Sequence, residues 1–98
     1  MSIKELLSRA KENAWLANQL TPEEKITAEY IGQIASAIQR ERKAKGYTQK
    51  QLANKLGVSQ VMISRWENGE ENFTVATLAK ISTALGLELY NPLERRAV

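Results

Sequence analysis

The chain has 98 residues and a formal net charge of +3, which suits one small domain with a single core. It contains no cysteine, histidine or aspartate, which excludes disulfides, structural zinc and Ser-His-Asp or Cys-His catalysis, so we expect no enzyme, metal or other cofactor. No apolar run approaches the roughly 20 residues that span a membrane, and no signal-peptide core follows the N-terminus, so we expect a cytoplasmic protein without a membrane partner.

A capping box opens the chain. Ser2 as N-cap and Glu5 three residues later have the required spacing. Apolar residues then recur at helical spacing, which predicts a helix over about residues 3–19. We expect residues 1–27 to form a helical appendage to the main domain.

A second start signal follows at Thr21, which suits an N-cap because Pro22 occupies the first helical position. The helix that begins there is predicted to run to about Lys45, with Gly46 as its C-terminal cap. Glycine at position 32 weakens this helix, so a break between residues 27 and 32 is the alternative to one continuous helix.

Two short helices come next, joined by a tight turn. Thr48 is the predicted N-cap of a helix that ends at Leu56, and Ser59 that of a helix over about residues 60–67. Gly57 between them can adopt the left-handed backbone that such a turn requires.

The last predicted elements are a helix and a strand. Thr74 is the N-cap of a helix that runs to about residue 85. The segment Leu87–Tyr90 alternates apolar and polar residues, which predicts a short strand. Residues 28–90 would then form the main domain and residues 91–98 a tail.

Positive charge is concentrated in the middle of the chain. Residues 40–65 contain seven basic side chains and one acidic side chain, so this basic window carries +6 and the rest of the chain −3. Clustered positive charge attracts phosphate and steers encounter with nucleic acid. The alternative is a lysine-rich helix surface that contacts only water.

The helix pair also carries a motif. About a dozen positions resemble, in register, the lambda-repressor/Cro-type helix-turn-helix family, also called XRE-type. These positions are Thr48-Gln49, Leu52-Ala53, Leu56-Gly57-Val58-Ser59, Ile63-Ser64 and Trp66-Glu67-Asn68-Gly69. The resemblance implies an all-α fold: a five-helix XRE-type domain with an added N-terminal helix and a short C-terminal strand. It also implies a dimeric transcriptional repressor that binds double-stranded DNA in a sequence-specific manner.

The resemblance assigns roles to individual side chains. Glutamine can bond the edge of adenine, arginine can bond guanine, and an apolar side chain can meet the thymine methyl group. The base-reading residues would be Gln60, Val61, Ser64 and Arg65. The phosphate-binding residues would be Gln49, Lys50, Ser59 and Asn68.

Each assignment has a plainer alternative. Gln60 and Val61 could be ordinary exposed helix residues, and Lys50 could be solvated. Arg65 could pair with a neighbouring glutamate instead of a base. Trp66 is expected to fill the core rather than to stack on a base.

Two further features follow from comparison with the family pattern. Arg42 and Glu67 are expected to form a buried ion pair with an architectural role. After Gly69, many relatives have a basic residue and a proline, whereas this chain has Glu70 and Glu71. Carboxylates repel phosphates, which disfavours phosphate binding by this loop.

The added N-terminal helix and the strand resemble HigA-type antitoxins. That resemblance implies a homodimer whose paired strands bury Leu87 and Leu89. It also implies a RelE-like toxin held by Trp15, Leu16 and Leu20. The alternative is that the N-terminal helix caps the core or the dimer. For the whole chain, the alternative to a DNA-binding regulator is a protein-interaction module that kept the fold without DNA binding.

Overall fold

The structure, a computed structural model, describes residues 19–94. Within that range the chain forms four helices: α1 (Pro22–Ala44), α2 (Gln49–Leu56), α3 (Gln60–Glu67) and α4 (Val75–Leu85). The all-α class is confirmed for this part of the chain. The predicted helix over residues 3–19 lies outside the described residues except for its last position, and so do its capping box and the side chains of Trp15 and Leu16. Leu20 is described, and it is half-buried just before α1.

Helix α1 begins where the sequence predicts. The Thr21 hydroxyl accepts the Glu24 N–H at 3.1 Å, and the Glu24 carboxylate accepts the Thr21 N–H at 3.2 Å. The helix then continues through Gly32 to Ala44 without a break. A glycine inside a helix costs only about 1 kcal/mol, and the buried side chains of Ile31 and Ala35 hold this segment against the domain.

The five-helix count is wrong for the described part of the chain. Residues 19–94 contain four helices, because α1 is continuous over residues 27–32, where a break would have divided it. The division of the chain at residues 27 and 90 stays a prediction.

The turn between α2 and α3 is confirmed. Thr48 caps α2 in a capping box with Gln51, and the Ser59 hydroxyl accepts the Met62 N–H at 3.1 Å at the start of α3. Gly57 has φ +70°, in the left-handed region that only glycine adopts at little cost. This turn sets the two short helices at a fixed angle.

One hydrophobic cluster unites the four helices. Leu52 and Ile63 are fully buried. Trp66 is 5 % exposed, and the centroid of its ring lies 6.2 Å from that of Phe73. The expectation that Trp66 fills the core is therefore confirmed. The other buried members of this core cluster are Ile38, Ala53, Leu56, Ile81 and Leu85.

The predicted strand at Leu87–Tyr90 is wrong, since no strand forms anywhere in residues 19–94. The Leu87 N–H instead donates to the Ser82 carbonyl at 2.8 Å and closes the end of α4, and the Leu87 side chain packs on the core. An isolated four-residue strand has no neighbour here to pair with its backbone. Leu89 is half exposed, so the expected burial of Leu87 and Leu89 by strand pairing loses its basis.

None of the helices in residues 19–94 combines the length and the apolar character that a bilayer crossing requires.

Candidate nucleic-acid interface

Helix α3 has one buried face and one exposed face. Ile63 and Trp66 lie in the core, whereas Gln60 is exposed and Val61 is 68 % exposed. One turn further on, Ser64 is half-buried and the Arg65 side chain is 50 % exposed. All four predicted base-reading residues therefore lie on the side of α3 that the core does not cover. Their donors, acceptors and methyl groups match the chemistry of base edges in a major groove.

The predicted phosphate-binding residues lie mainly at helix N-termini. Gln49 and Lys50 are the first two residues of α2, and Ser59 is the N-cap of α3. The first-turn amides of a helix have no partner inside the helix and favour anions. The Ser59 hydroxyl uses only an acceptor site when it caps α3, so its O–H remains able to donate to a phosphate oxygen.

Gln49 and Asn68 both contact protein atoms in this structure. The Gln49 side-chain amide donates to the Glu67 carboxylate at 3.4 Å, and the Asn68 amide donates to the Ser64 hydroxyl at 3.4 Å. These long hydrogen bonds are weak. Each amide has a second N–H, so the contacts leave a donor for a phosphate.

An ion pair connects the end of α1 to the end of α3. Arg42 Nε donates to Glu67 Oε2 at 2.6 Å, and Arg42 Nη2 donates to Glu67 Oε1 at 2.9 Å. Arg42 Nη1 also donates to the Tyr47 carbonyl at 2.7 Å. The hydrogen bonds that Arg42 donates to Glu67, opposed by burial, raise the pKa of Arg42 above its ordinary value. The guanidinium is therefore a permanent charge, and its partners fix the C-terminal end of α3.

Arg65 has a partner that the sequence did not name. Its Nη2 atom lies 2.6 Å from Oε1 of Glu71, a residue of the loop after α3. Of the two alternatives for Arg65, pairing with a neighbouring glutamate is therefore present in the protein without DNA. The two residues are six positions apart and only one is helical, so helical spacing gave no signal for the contact.

The basic window divides by residue type. Each of its three arginines contacts a glutamate: Arg40 lies 3.5 Å from Glu41, and the other two form the pairs described above. Its four lysines are exposed, and they are Lys43, Lys45, Lys50 and Lys55. Lysine therefore supplies most of the positive charge of this window that these contacts leave unneutralised.

A second exposed surface lies where α1, α4 and the C-terminal segment meet. Val75 is 74 % exposed, Tyr90 76 %, Leu89 50 % and Tyr30 42 %. With Ile34 and Leu78 these side chains line a groove of about 500 Å³. Large exposed apolar patches usually mark binding surfaces. The sequence does not predict this apolar groove, because helical spacing alone does not distinguish a buried helix face from an exposed apolar one.

Comparisons with known proteins place this geometry in context. The HTH_3 family model, described as helix-turn-helix, matches residues 38–90, a range that contains α2, α3 and α4. The chain is 40 % identical over 57 residues to antitoxin HipB of Escherichia coli (strain K12), an alignment that spans 58 % of this chain and 65 % of HipB. It is also 38 % identical over 64 residues to y4dJ, an uncharacterized HTH-type transcriptional regulator of Sinorhizobium fredii. That alignment covers 62 % of this chain and 83 % of y4dJ.

A solved structure is similar to this chain as well. A chain of the HipA-HipB-O2-O3 complex superposes with a TM-score of 0.54 at 38 % sequence identity, and the match covers 62 % of this chain and 86 % of that chain. The antitoxin among these relatives is HipB, whereas the sequence had suggested antitoxins of the HigA type.

Proposed function

The chain belongs to the HTH_3 helix-turn-helix family, and from that premise we propose that it is a sequence-specific regulator that binds double-stranded DNA through α3. The observation that carries the proposal is the exposed face of α3, formed by Gln60, Val61, Ser64 and Arg65 opposite the buried Ile63 and Trp66. A helix of this kind fits a major groove and can present these side chains to base edges. We propose no enzymatic reaction, and a regulator of this kind would act in the cytoplasm.

The proposed roles divide between affinity and specificity. Lys50 and the other exposed lysines would attract phosphates on any sequence, and the amides at the start of α2 would fix the protein's register on the backbone. Gln60 and Arg65 would distinguish bases, because each can form two hydrogen bonds to one purine edge.

The test begins with selection of a preferred duplex from a random pool. Gln60→Ala should then weaken binding to the selected duplex by about 1–3 kcal/mol and binding to random DNA much less. Gln33→Ala is the matched control, because Gln33 is exposed on α1 and lies outside the family-matched residues. Equal losses on both duplexes would contradict a base-reading role for Gln60.

We further propose that the protein acts as a homodimer and that the apolar groove is the interface. One recognition helix covers only half of a typical site, and two copies about 34 Å apart are needed for a full one. The exposed side chains of Tyr30, Val75 and Tyr90 support a contact between two copies of the chain, since burial of such a patch is a main driving force for association.

A pair of valine variants separates this interface from the DNA surface. Val75→Ser should weaken the dimer in sedimentation equilibrium, because Val75 lines the groove. Val61→Ser should leave the dimer intact and weaken DNA binding, because Val61 is similarly exposed but lies on α3. If Val75→Ser and Leu89→Ser together leave the dimer undiminished, the interface lies elsewhere.

An antitoxin role in an operon that the protein itself represses is the finer proposal. Its support is the similarity to antitoxin HipB and to a chain of the HipA-HipB-O2-O3 complex. A HipA-like partner is therefore favoured over the RelE-like toxin that the sequence suggested. Co-expression with the product of a neighbouring open reading frame tests this role: relief of growth arrest together with a stable purified complex supports it, and growth arrest that persists contradicts it.

The second candidate is a protein-interaction module without DNA binding. The ion pair between Arg65 and Glu71 favours it, because it places a carboxylate beside a predicted base-reading residue. Salt dependence separates the two functions: phosphate binding requires log affinity to fall with log salt by about 0.9 per contact. Absence of binding to any duplex at low salt would favour the interaction module.

A further inference from the structure

We propose that Glu71 is a positioning residue for Arg65 that raises sequence discrimination by disfavouring phosphate contacts. The inference rests on the proposed function, since it concerns the same DNA-binding face. It starts from the 2.6 Å contact between Arg65 Nη2 and Glu71 Oε1, in which the Glu71 side chain is 26 % exposed.

The loop that carries Glu71 is built to hold it there. The Gly69 N–H donates to the Trp66 carbonyl at 3.2 Å, and the Glu70 N–H donates to the Arg65 carbonyl at 2.9 Å. Gly69 has φ +71°, so the chain reverses immediately after α3. Two residues beyond Glu71, Phe73 packs on Trp66 and the core. The loop is therefore fixed on both sides of Glu71.

The chemistry of the pair separates two kinds of contact. A guanidinium has five N–H donors, so a contact through Nη2 leaves donors for the O6 and N7 atoms of guanine. The carboxylate largely neutralises the guanidinium for an approaching phosphate and repels that phosphate directly. It also fixes the long arginine side chain, so less side-chain freedom is lost when a base is bound. Glu71 thus weakens contacts of Arg65 with phosphates, which carry no sequence information, and leaves its contact with a base, which does carry it.

A role of Glu71 in specificity also explains why the chain departs from the family pattern after Gly69. Even a partly exposed ion pair such as this one contributes little to stability, so stability alone does not account for a carboxylate at this position. Beside DNA the same carboxylate changes the ratio of specific to non-specific binding, which decides occupancy when competing sites are numerous.

Glu71→Gln is the test, because it removes the charge and keeps the size and the hydrogen-bonding oxygen. Affinity for random duplex should rise roughly two- to fivefold, the change expected for one exposed charge pair. The salt slope on random duplex should steepen by up to about 0.9, because Arg65 gains a phosphate. Affinity for the selected duplex should not rise with it, so the ratio of the two affinities should fall.

Two comparisons isolate the pair. Glu70→Gln makes the same charge change at the adjacent position. It should leave the ratio of selected-duplex affinity to random-duplex affinity closer to that of the parent protein. In an Arg65→Ala background, Glu71→Gln should no longer change the ratio, because the residue through which it acts is missing. Circular dichroism of each variant checks that the helices are retained.

The outcomes are distinct. Equal rises on both duplexes, or the same effect from Glu70→Gln, would reduce Glu71 to general repulsion and overturn the inference while DNA binding stands. A parent protein that binds no duplex at low salt would overturn the proposed function and this inference with it. A fall in the ratio that depends on Arg65 supports the assignment.

Discussion

Loss of the positive partner in the Arg42–Glu67 pair should destabilise the domain severely. The informative change is Arg42→Met, which keeps an apolar stem of similar length and removes the guanidinium. The Glu67 side chain is only 3 % exposed, and the two short hydrogen bonds to its carboxylate both come from Arg42. After the change, the remaining contact among those described is the 3.4 Å hydrogen bond from Gln49.

The magnitude follows from this burial. A buried charge that loses its partner costs about 3–5 kcal/mol. For a domain of this size, each kcal/mol lowers Tm by about 4–8 °C, so Tm should fall by roughly 12–40 °C. A loss of about 3–5 kcal/mol is a large part of the roughly 5–15 kcal/mol that stabilises a typical domain. Thermal and urea unfolding followed by circular dichroism measure both quantities.

The double variant Arg42→Met/Glu67→Met tests the cause of the loss. It removes the orphaned carboxylate, but the Tyr47 carbonyl still lacks its donor, which costs about 1–3 kcal/mol. The double variant should therefore be more stable than Arg42→Met alone by about 2 kcal/mol. If the double variant is as unstable as the single one, the burial of an unpaired charge is not what Arg42 prevents.

Arg40→Met is the matched control. The Arg40 side chain is 69 % exposed and lies 3.5 Å from Glu41, so its removal should change stability by no more than about 1 kcal/mol.

Two further predictions concern the charge and the turn. Lys50→Ala should make the slope of log affinity against log salt on random duplex shallower by up to about one unit, whereas Lys25→Ala, outside the family-matched residues, should leave it unchanged. A slope that Lys50→Ala does not alter would mean that Lys50 is solvated in the complex. Gly57→Ala should lower the free energy of unfolding by about 1–2 kcal/mol because of its left-handed φ of +70°, whereas Gly32→Ala inside α1 should raise it by up to about 1 kcal/mol. Urea unfolding compares them, and effects of the same sign at both glycines would contradict this explanation.

Local signals account for most of what the sequence could predict. Each helix start in residues 19–94 has a Ser or Thr cap whose hydroxyl accepts an amide three residues on, and that pattern is readable from the sequence alone. The prediction of a strand at Leu87–Tyr90 was wrong because its local signal was ambiguous. Alternation over four residues cannot tell a strand from a chain that closes a helix, and the hydrogen bond from Leu87 to Ser82 decided the outcome.

Local sequence patterns could not predict the contacts between residues that are distant in the chain. Arg42 and Glu67 are 25 positions apart, and only the family resemblance brought them together in advance. The contact of Arg65 with Glu71 depends on a loop conformation that no local rule sets, so the sequence offered a neighbouring glutamate as a partner for Arg65 without identifying Glu71. The apolar groove also depends on how α1, α4 and the C-terminal segment meet, which periodicity does not determine.

The pairing of the arginines and the exposure of the lysines indicate how one small surface can serve both affinity and specificity. Lysine is a flexible point charge that suits phosphates on any sequence, whereas arginine is a planar group whose hydrogen bonds have direction. Arg42 and Arg65 each contact a glutamate at 2.6 Å, so their charges are partly screened and their orientations restrained. The Arg42 pair fixes where α3 lies, and the Glu71 contact restrains the Arg65 side chain that α3 presents. Together they would make base reading depend on geometry, while the exposed lysines supply the attraction that brings DNA to the surface.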